Sequence, residues 1–129
     1  MTNVTKGKAA IVLIVEDDRE MLNLLCDEFW SAEYQLRQAK DGDEAFRMVL
    51  QSVPDVILTD LRMPAGGADY ISRLRTIAPR CPIIVMTAFG DAATRAAAQQ
   101  AGANAYFDKP VRIAELKLCV QQLLNHERT

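Results

Sequence analysis

Residues 55–64 read DVILTDLRMP, an unbroken aliphatic and β-branched run that stops at an acid, Asp60. A strand buried on both faces carries such a run, because neither side of its pleat meets water. Working outward from Asp55 to Thr59, similar runs predict strands at Ile11 to Val15, Tyr34 to Ala39, Pro82 to Met86 and Asn104 to Phe107. Only Tyr34 to Ala39 alternates clearly, as suits a sheet edge. Apolar residues at helical spacing fill the intervals: Leu22, Leu25 and Phe29 between about Asp18 and Trp30, and Ala45, Met48 and Val49 between about Asp43 and Ser52, after a turn at Asp41-Gly42. Ile71 and Leu74 precede Pro79, which stops the third helix, and Ile113, Leu116, Val120, Leu123 and Leu124 mark the fifth. The fourth, about Asp91 to Ala101, has almost only alanine at its apolar positions. It buries little area and should be the easiest element to move. Strands alternating with helices predict an α/β fold, a doubly wound parallel sheet with helices on both faces.

At 129 residues the chain fits one domain. The pattern gives residues 1–9 as an N-terminal tail, 10–125 as the domain and 126–129 as a C-terminal tail, with no output domain. A net charge of -2 offers no basic field for direct nucleic-acid binding. The apolar run Ala9 to Val15 is too short to span a membrane, and acids come after it where a signal peptide needs small residues. A cytoplasmic protein without membrane attachment is expected. Cys26, Cys81 and Cys119 are widely spaced with no histidine nearby, and read as small buried hydrophobes. His126 reads as a solvated surface residue, so the chain does not supply a phosphohistidine.

Ligands of a parallel α/β sheet bind beyond the carboxyl ends of its strands. Glu16-Asp17-Asp18 stands after the first strand, Asp60 after the third, Thr87 after the fourth and Asp108-Lys109-Pro110 after the fifth. Carboxylates gathered in one pocket repel one another unless a cation neutralises them. Hard oxygen donors without His or Cys favour Mg2+, or Mn2+, and leave too few protein ligands for calcium. Magnesium completes its shell with substrate phosphate, so a phosphoryl group is the natural guest. Asp60 suits the nucleophile of an acyl phosphate, with Lys109 and the Thr87 hydroxyl offsetting charge on the phosphoryl oxygens. Asp18 reads as a helix cap and is left out of the site.

The segments IVLIVEDD, DVILTDLRMP, IIVMTAFGD and AGANAYFDKP, in order and at fitting spacing, resemble the four signature segments of bacterial response-regulator receiver domains over roughly residues 10 to 125. The resemblance implies a flavodoxin-like strand order 2-1-3-4-5 with five helices. It implies Asp60 as phosphoacceptor, and a metal held by Asp17 directly, Glu16 through water, Asp60 and the backbone carbonyl of Arg62. Thr87 becomes the switch hydroxyl, Tyr106 the switch aromatic and Lys109 the phosphate-binding lysine, aimed by a cis Lys109-Pro110 bond. The implied partners are a sensor histidine kinase or a phosphotransfer protein, and a homodimer through the fourth helix, fifth strand and fifth helix. Leu118 should face solvent on that side and serve as a contact. Such a domain signals rather than acting as an enzyme on other molecules.

Three departures stand out. Arg62 and Phe89 flank the route of water to the phosphoryl group, which should lengthen its life to minutes or more. The segment Pro64 to Tyr70 looks one residue short, which bears on the Arg62 carbonyl, and Val111 stands where many relatives have Phe. The wording DLRMP with MTAFGD resembles receivers attached to transcriptional activators. An aspartyl hydrolase would need a second Asp where Arg62 stands, and Glu16-Asp17 would repel a flavin phosphate. The alternative is a phosphorylation-independent, receiver-like interaction module.

Overall fold

The computed structural model describes residues 9–31, 33–88 and 90–128, with side chains as far as residue 125. The expectations for the Phe89 and His126 side chains lie outside the described residues. In chain order the elements are β1 (Ala10–Val15), α1 (Arg19–Phe29), β2 (Tyr34–Ala39), α2 (Gly42–Gln51), β3 (Val56–Asp60), α3 (Ala68–Ile77), β4 (Ile83–Thr87), α4 (Ala92–Ala101), β5 (Ala105–Asp108) and α5 (Ile113–Arg128). The strands form one parallel sheet in the order β2-β1-β3-β4-β5, as expected. Helix α5 runs on to Arg128, past the expected end of the domain at 125. No helix among the described residues is long and apolar enough to cross a membrane.

The sheet separates two apolar layers. On one face Leu13, Val15, Ile57, Ile83 and Val85 meet Ala45 and Val49 of α2, Ile71 and Leu74 of α3, and Ala98 of α4. On the other, Val12, Ile14, Leu58, Ile84 and Met86 meet Leu25 and Phe29 of α1 and Leu116, Val120 and Leu124 of α5. Strands β3 and β4 are buried at every residue, which explains their unbroken aliphatic runs. Helix α4 buries only Ala98, so it contributes the least packing of the five. Cys81 is buried, whereas Cys26 and Cys119 are half-buried; the expectation of three buried thiols is corrected for those two, which pack at the margin of the second layer.

Acids set where α1, α2 and α4 begin. Asp18 accepts from the Glu20 N–H at 3.1 Å and Asp91 from the Thr94 N–H at 2.8 Å, each satisfying a donor with no partner inside its helix. Asp41 accepts from the Glu44 N–H at 2.7 Å while Glu44 Oε1 accepts from the Lys40 N–H, one residue before the cap, at 2.8 Å. The expected Asp41-Gly42 turn is therefore a cap and then the first helical residue. Gly42 is a glycine for a long-range reason: a Cβ there would collide with the Ala65 carbonyl, and its N–H donates to Pro64 O at 3.0 Å. The β3–α3 loop is thereby seated on the start of α2.

Candidate functional site

Parallel pairing brings Val15 level with Thr59, Asp60 with Met86 and Thr87 with Asp108. The residues that end β1, β3, β4 and β5 therefore share one edge of the sheet. Glu16 and Asp60 are buried there at 1% and 5% exposure. Lys109 Nζ donates to Glu16 Oε1 at 2.7 Å and to Asp60 Oδ2 at 3.0 Å. The ammonium so bridges the two buried carboxylates. The Lys109–Pro110 bond is cis, as expected, and the Lys109 N–H donates to Thr87 O at 2.9 Å.

The other carboxylate oxygens are held by main-chain donors. Asp60 Oδ1 accepts from the Arg62 N–H at 3.0 Å and Glu16 Oε2 from the Asp18 N–H at 3.2 Å. Burial pushes the Glu16 carboxyl above its ordinary range, against the lowering pull of Lys109 and the Asp18 N–H, with Asp60 adding to the rise. Burial alone would depress Lys109, but its bonds to Glu16 and Asp60 outweigh that and raise it. The lysine is a fixed positive charge.

Glu16, Asp17 and Asp60 each offer an oxygen, all within 4.8 Å of one another. Three hard donors at that spacing, two buried and one exposed, fit a small divalent cation that keeps several waters. Asp60 Oδ1 accepts from the Arg62 N–H and Oδ2 from Lys109 Nζ, and a carboxylate oxygen with one such bond has a further lone pair for another partner. Of the remaining acids, Asp18 caps α1, and Asp108 is exposed and pairs with Arg95 at 3.1 Å; the site keeps Glu16, Asp17 and Asp60.

Thr87 is fully buried, and its hydroxyl donates to Ala88 O at 3.2 Å. Tyr106 stands inward: its hydroxyl is buried with no hydrogen-bond partner among the described residues. It occupies space that a Cβ on Gly90 would fill, beside the Thr87 methyl. The Arg95 guanidinium covers the ring, 4.6 Å from its centroid. Sequence reasoning missed Arg95, whose approach to Tyr106 crosses from α4 to β5.

The family model of the response regulator receiver domain matches residues 12–121. The chain belongs to this family. The receiver domain of this chain is 33% identical over 114 residues to the regulatory protein AtoC of Escherichia coli, covering 88% of this chain and 25% of AtoC. It is 34% identical over 124 residues to the transcriptional regulatory protein PrrA of Mycobacterium tuberculosis, 95% of this chain and 52% of PrrA. The sporulation initiation phosphotransferase F of Bacillus subtilis is 30% identical over 114 residues, 87% of this chain and 92% of that protein. The chain thus spans between a quarter and about half of AtoC and PrrA. Among solved structures, the Francisella response regulator 1452 receiver domain superposes with a TM-score of 0.83 at 26% identity, over 91% of this chain and 98% of that one. A CheY-like receiver domain protein from Methanospirillum hungatei reaches 0.89 at 21% identity, over 94% and 98%, a likeness of fold.

Proposed function

We propose that this receiver domain takes a phosphoryl group onto Asp60 from a sensor histidine kinase or a phosphotransfer protein, and signals through the surface of α4, β5 and α5. The observation that carries this reading is the Lys109 ammonium lying 3.0 Å from Asp60 Oδ2 and 2.7 Å from Glu16 Oε1 at the acidic edge. Glu16, Asp17, Asp60 and the backbone carbonyl of Arg62 would hold Mg2+, or Mn2+, which when bound supplies charge neutralisation for the phosphoryl oxygens. An Asp60 oxygen attacks phosphorus as the bond to the donor's imidazole nitrogen breaks, and the imidazole keeps that electron pair. Lys109 stays paired with Asp60 and meets the incoming negative charge. Thr87 gives up its bond to Ala88 O for the phosphoryl group, and Tyr106, already inward, is held there.

Phosphorylation adds roughly two negative charges at Asp60, and the balance between two pre-existing conformations shifts accordingly. Leu118, exposed at 53% on α5, is the apolar contact we assign to a homodimer through this surface. The test is intact-protein mass after incubation with phosphoramidate, with and without Mg2+, for wild type and Asp60→Ala. A metal-dependent gain of one phosphoryl group, absent from the variant and persisting for minutes after the donor is removed, is expected. No gain under any condition leaves the phosphorylation-independent interaction module.

A further inference from the structure

Two hydroxyls sit inside the apolar layer between β3 and α3, where nothing in packing alone asks for them. Thr59 is fully buried and Tyr70 is 2% exposed. Their oxygens lie 2.9 Å apart, and Thr59 Oγ1 donates to Asp60 O at 2.8 Å. Thr59 has one hydroxyl hydrogen, and it goes to that carbonyl. Tyr70 is therefore the donor in the other bond, and the order runs Tyr70 to Thr59 to Asp60. Burial drives the Tyr70 hydroxyl well above its ordinary range, against the lowering effect of Thr59, so it remains a donor. A valine and a phenylalanine would fill this space without burying any polar group.

The geometry points to Thr59 and Tyr70 as positioning residues for the phosphoryl acceptor, two hydroxyls in series that fix the main-chain carbonyl of Asp60; this rests on the reading of Asp60 as that acceptor. Asp60 is the last residue of β3, and its pairing partner across the sheet, Met86, is one residue short of the end of β4. Asp60 is thus the last position the ladder with β4 holds, and beyond it the chain leaves the sheet. The Thr59 hydroxyl adds a side-chain tie to the carbonyl at this final ladder position. The Arg62 N–H, in the next peptide along, then returns to Asp60 Oδ1 at 3.0 Å, so the carboxylate is oriented by the turn that starts from the carbonyl Thr59 holds. Tyr70 also reaches the loop from below. A Cβ on Gly42 would press on its ring as well as on Ala65 O, so ring, loop and α2 start share one contact. Acceptor and loop are tied to the same side chain.

The test is the rate of mass gain with phosphoramidate and Mg2+ across a range of donor concentrations, for wild type, Thr59→Val, Thr59→Ser, Tyr70→Phe and Thr59→Val with Tyr70→Phe. Thermal melting of each variant is recorded alongside. A nucleophile whose orientation is loosened loses rate at saturating donor while half-saturation holds, so Thr59→Val should lower that rate about tenfold. Thr59→Ser restores it, because the donor to Asp60 O returns. Tyr70→Phe loses less, since Thr59 can still donate, and the double variant is no slower than Thr59→Val. Tyr70→Phe keeps the ring and its packing, so it reports even where Thr59→Val melts early. Folded Thr59→Val and Tyr70→Phe proteins with wild-type rates overturn the proposal, as does a Thr59→Val loss that serine does not rescue. A wild-type protein that gains no mass instead defeats the reading of Asp60 itself, and the proposal with it.

Discussion

Gly90 leaves the volume that the Tyr106 hydroxyl occupies, next to the Thr87 methyl. The Tyr106 hydroxyl has no partner among the described residues, and a buried hydroxyl left so costs on the order of 1–3 kcal/mol, so what holds Tyr106 inward is space at residue 90 and the Arg95 guanidinium over its ring. Filling that space reverses the balance. Gly90→Val should turn Tyr106 outward and make its ring react faster with tetranitromethane, read by peptide mass, with fully buried Tyr70 as the internal control. An unchanged nitration rate rejects the steric account. None of this was legible in order along the chain, because Gly90 and Tyr106 are brought together by the β4–β5 pairing. Tyr106 itself was legible as the aromatic of its segment.

The C-terminal end of helix α4 is fastened by a clamp from α3. Arg75, on α3, donates to Ala78 O, Pro79 O and Cys81 O from one nitrogen and to Gly102 O and Asn104 Oδ1 from the other. Gly102 is the C-cap of α4. The other end starts exposed at Asp91 and is tied to β5 through Arg95, which pairs with the exposed Asp108 and covers the Tyr106 ring. Arg75→Met leaves several half-buried carbonyls short of a charged donor and should lower unfolding free energy by about 2–4 kcal/mol in urea titration. Amide exchange in the last turn of α4 should quicken with it, and no change in exchange there would count against the clamp. The sequence showed α4 as the weakly packed helix, because small residues at the inward positions are a local property. It could not show the clamp, whose acceptors are spread from residue 78 to residue 104. The same division holds at the site. Glu16, Asp17, Asp60 and Lys109 each stand at a strand end and were readable there, whereas the Tyr70 hydroxyl became meaningful only once α3 was laid against β3.

For the molecule as a whole, the groups whose protons are held by burial set its alkaline limit. Cys26 and Cys119 are raised above an ordinary 9.0 and Tyr70 above an ordinary 10.0, each by burial first. The folded chain thus keeps protons that the unfolded chain releases. That contribution is whole below the ordinary values and is lost as pH rises through the raised ones. The melting temperature should stay level to about pH 8.5 and fall beyond it, and Tyr70→Phe should flatten the fall; a midpoint unchanged to about pH 11 would refute this. The five-strand order was readable only through resemblance, since alternation of strand and helix fixes a parallel sheet but not which strand lies at its centre. Among the described residues the two apolar layers form separate clusters, one on each face of the sheet. Over evolutionary time each is then free to drift by itself: a larger side chain on α5 can be answered by a smaller one on α1 or β4, while α2 and α3 keep their own compensations. In an alignment of relatives, co-varying core positions should fall into two families, one for each face, joined only at the residues of the carboxyl edge.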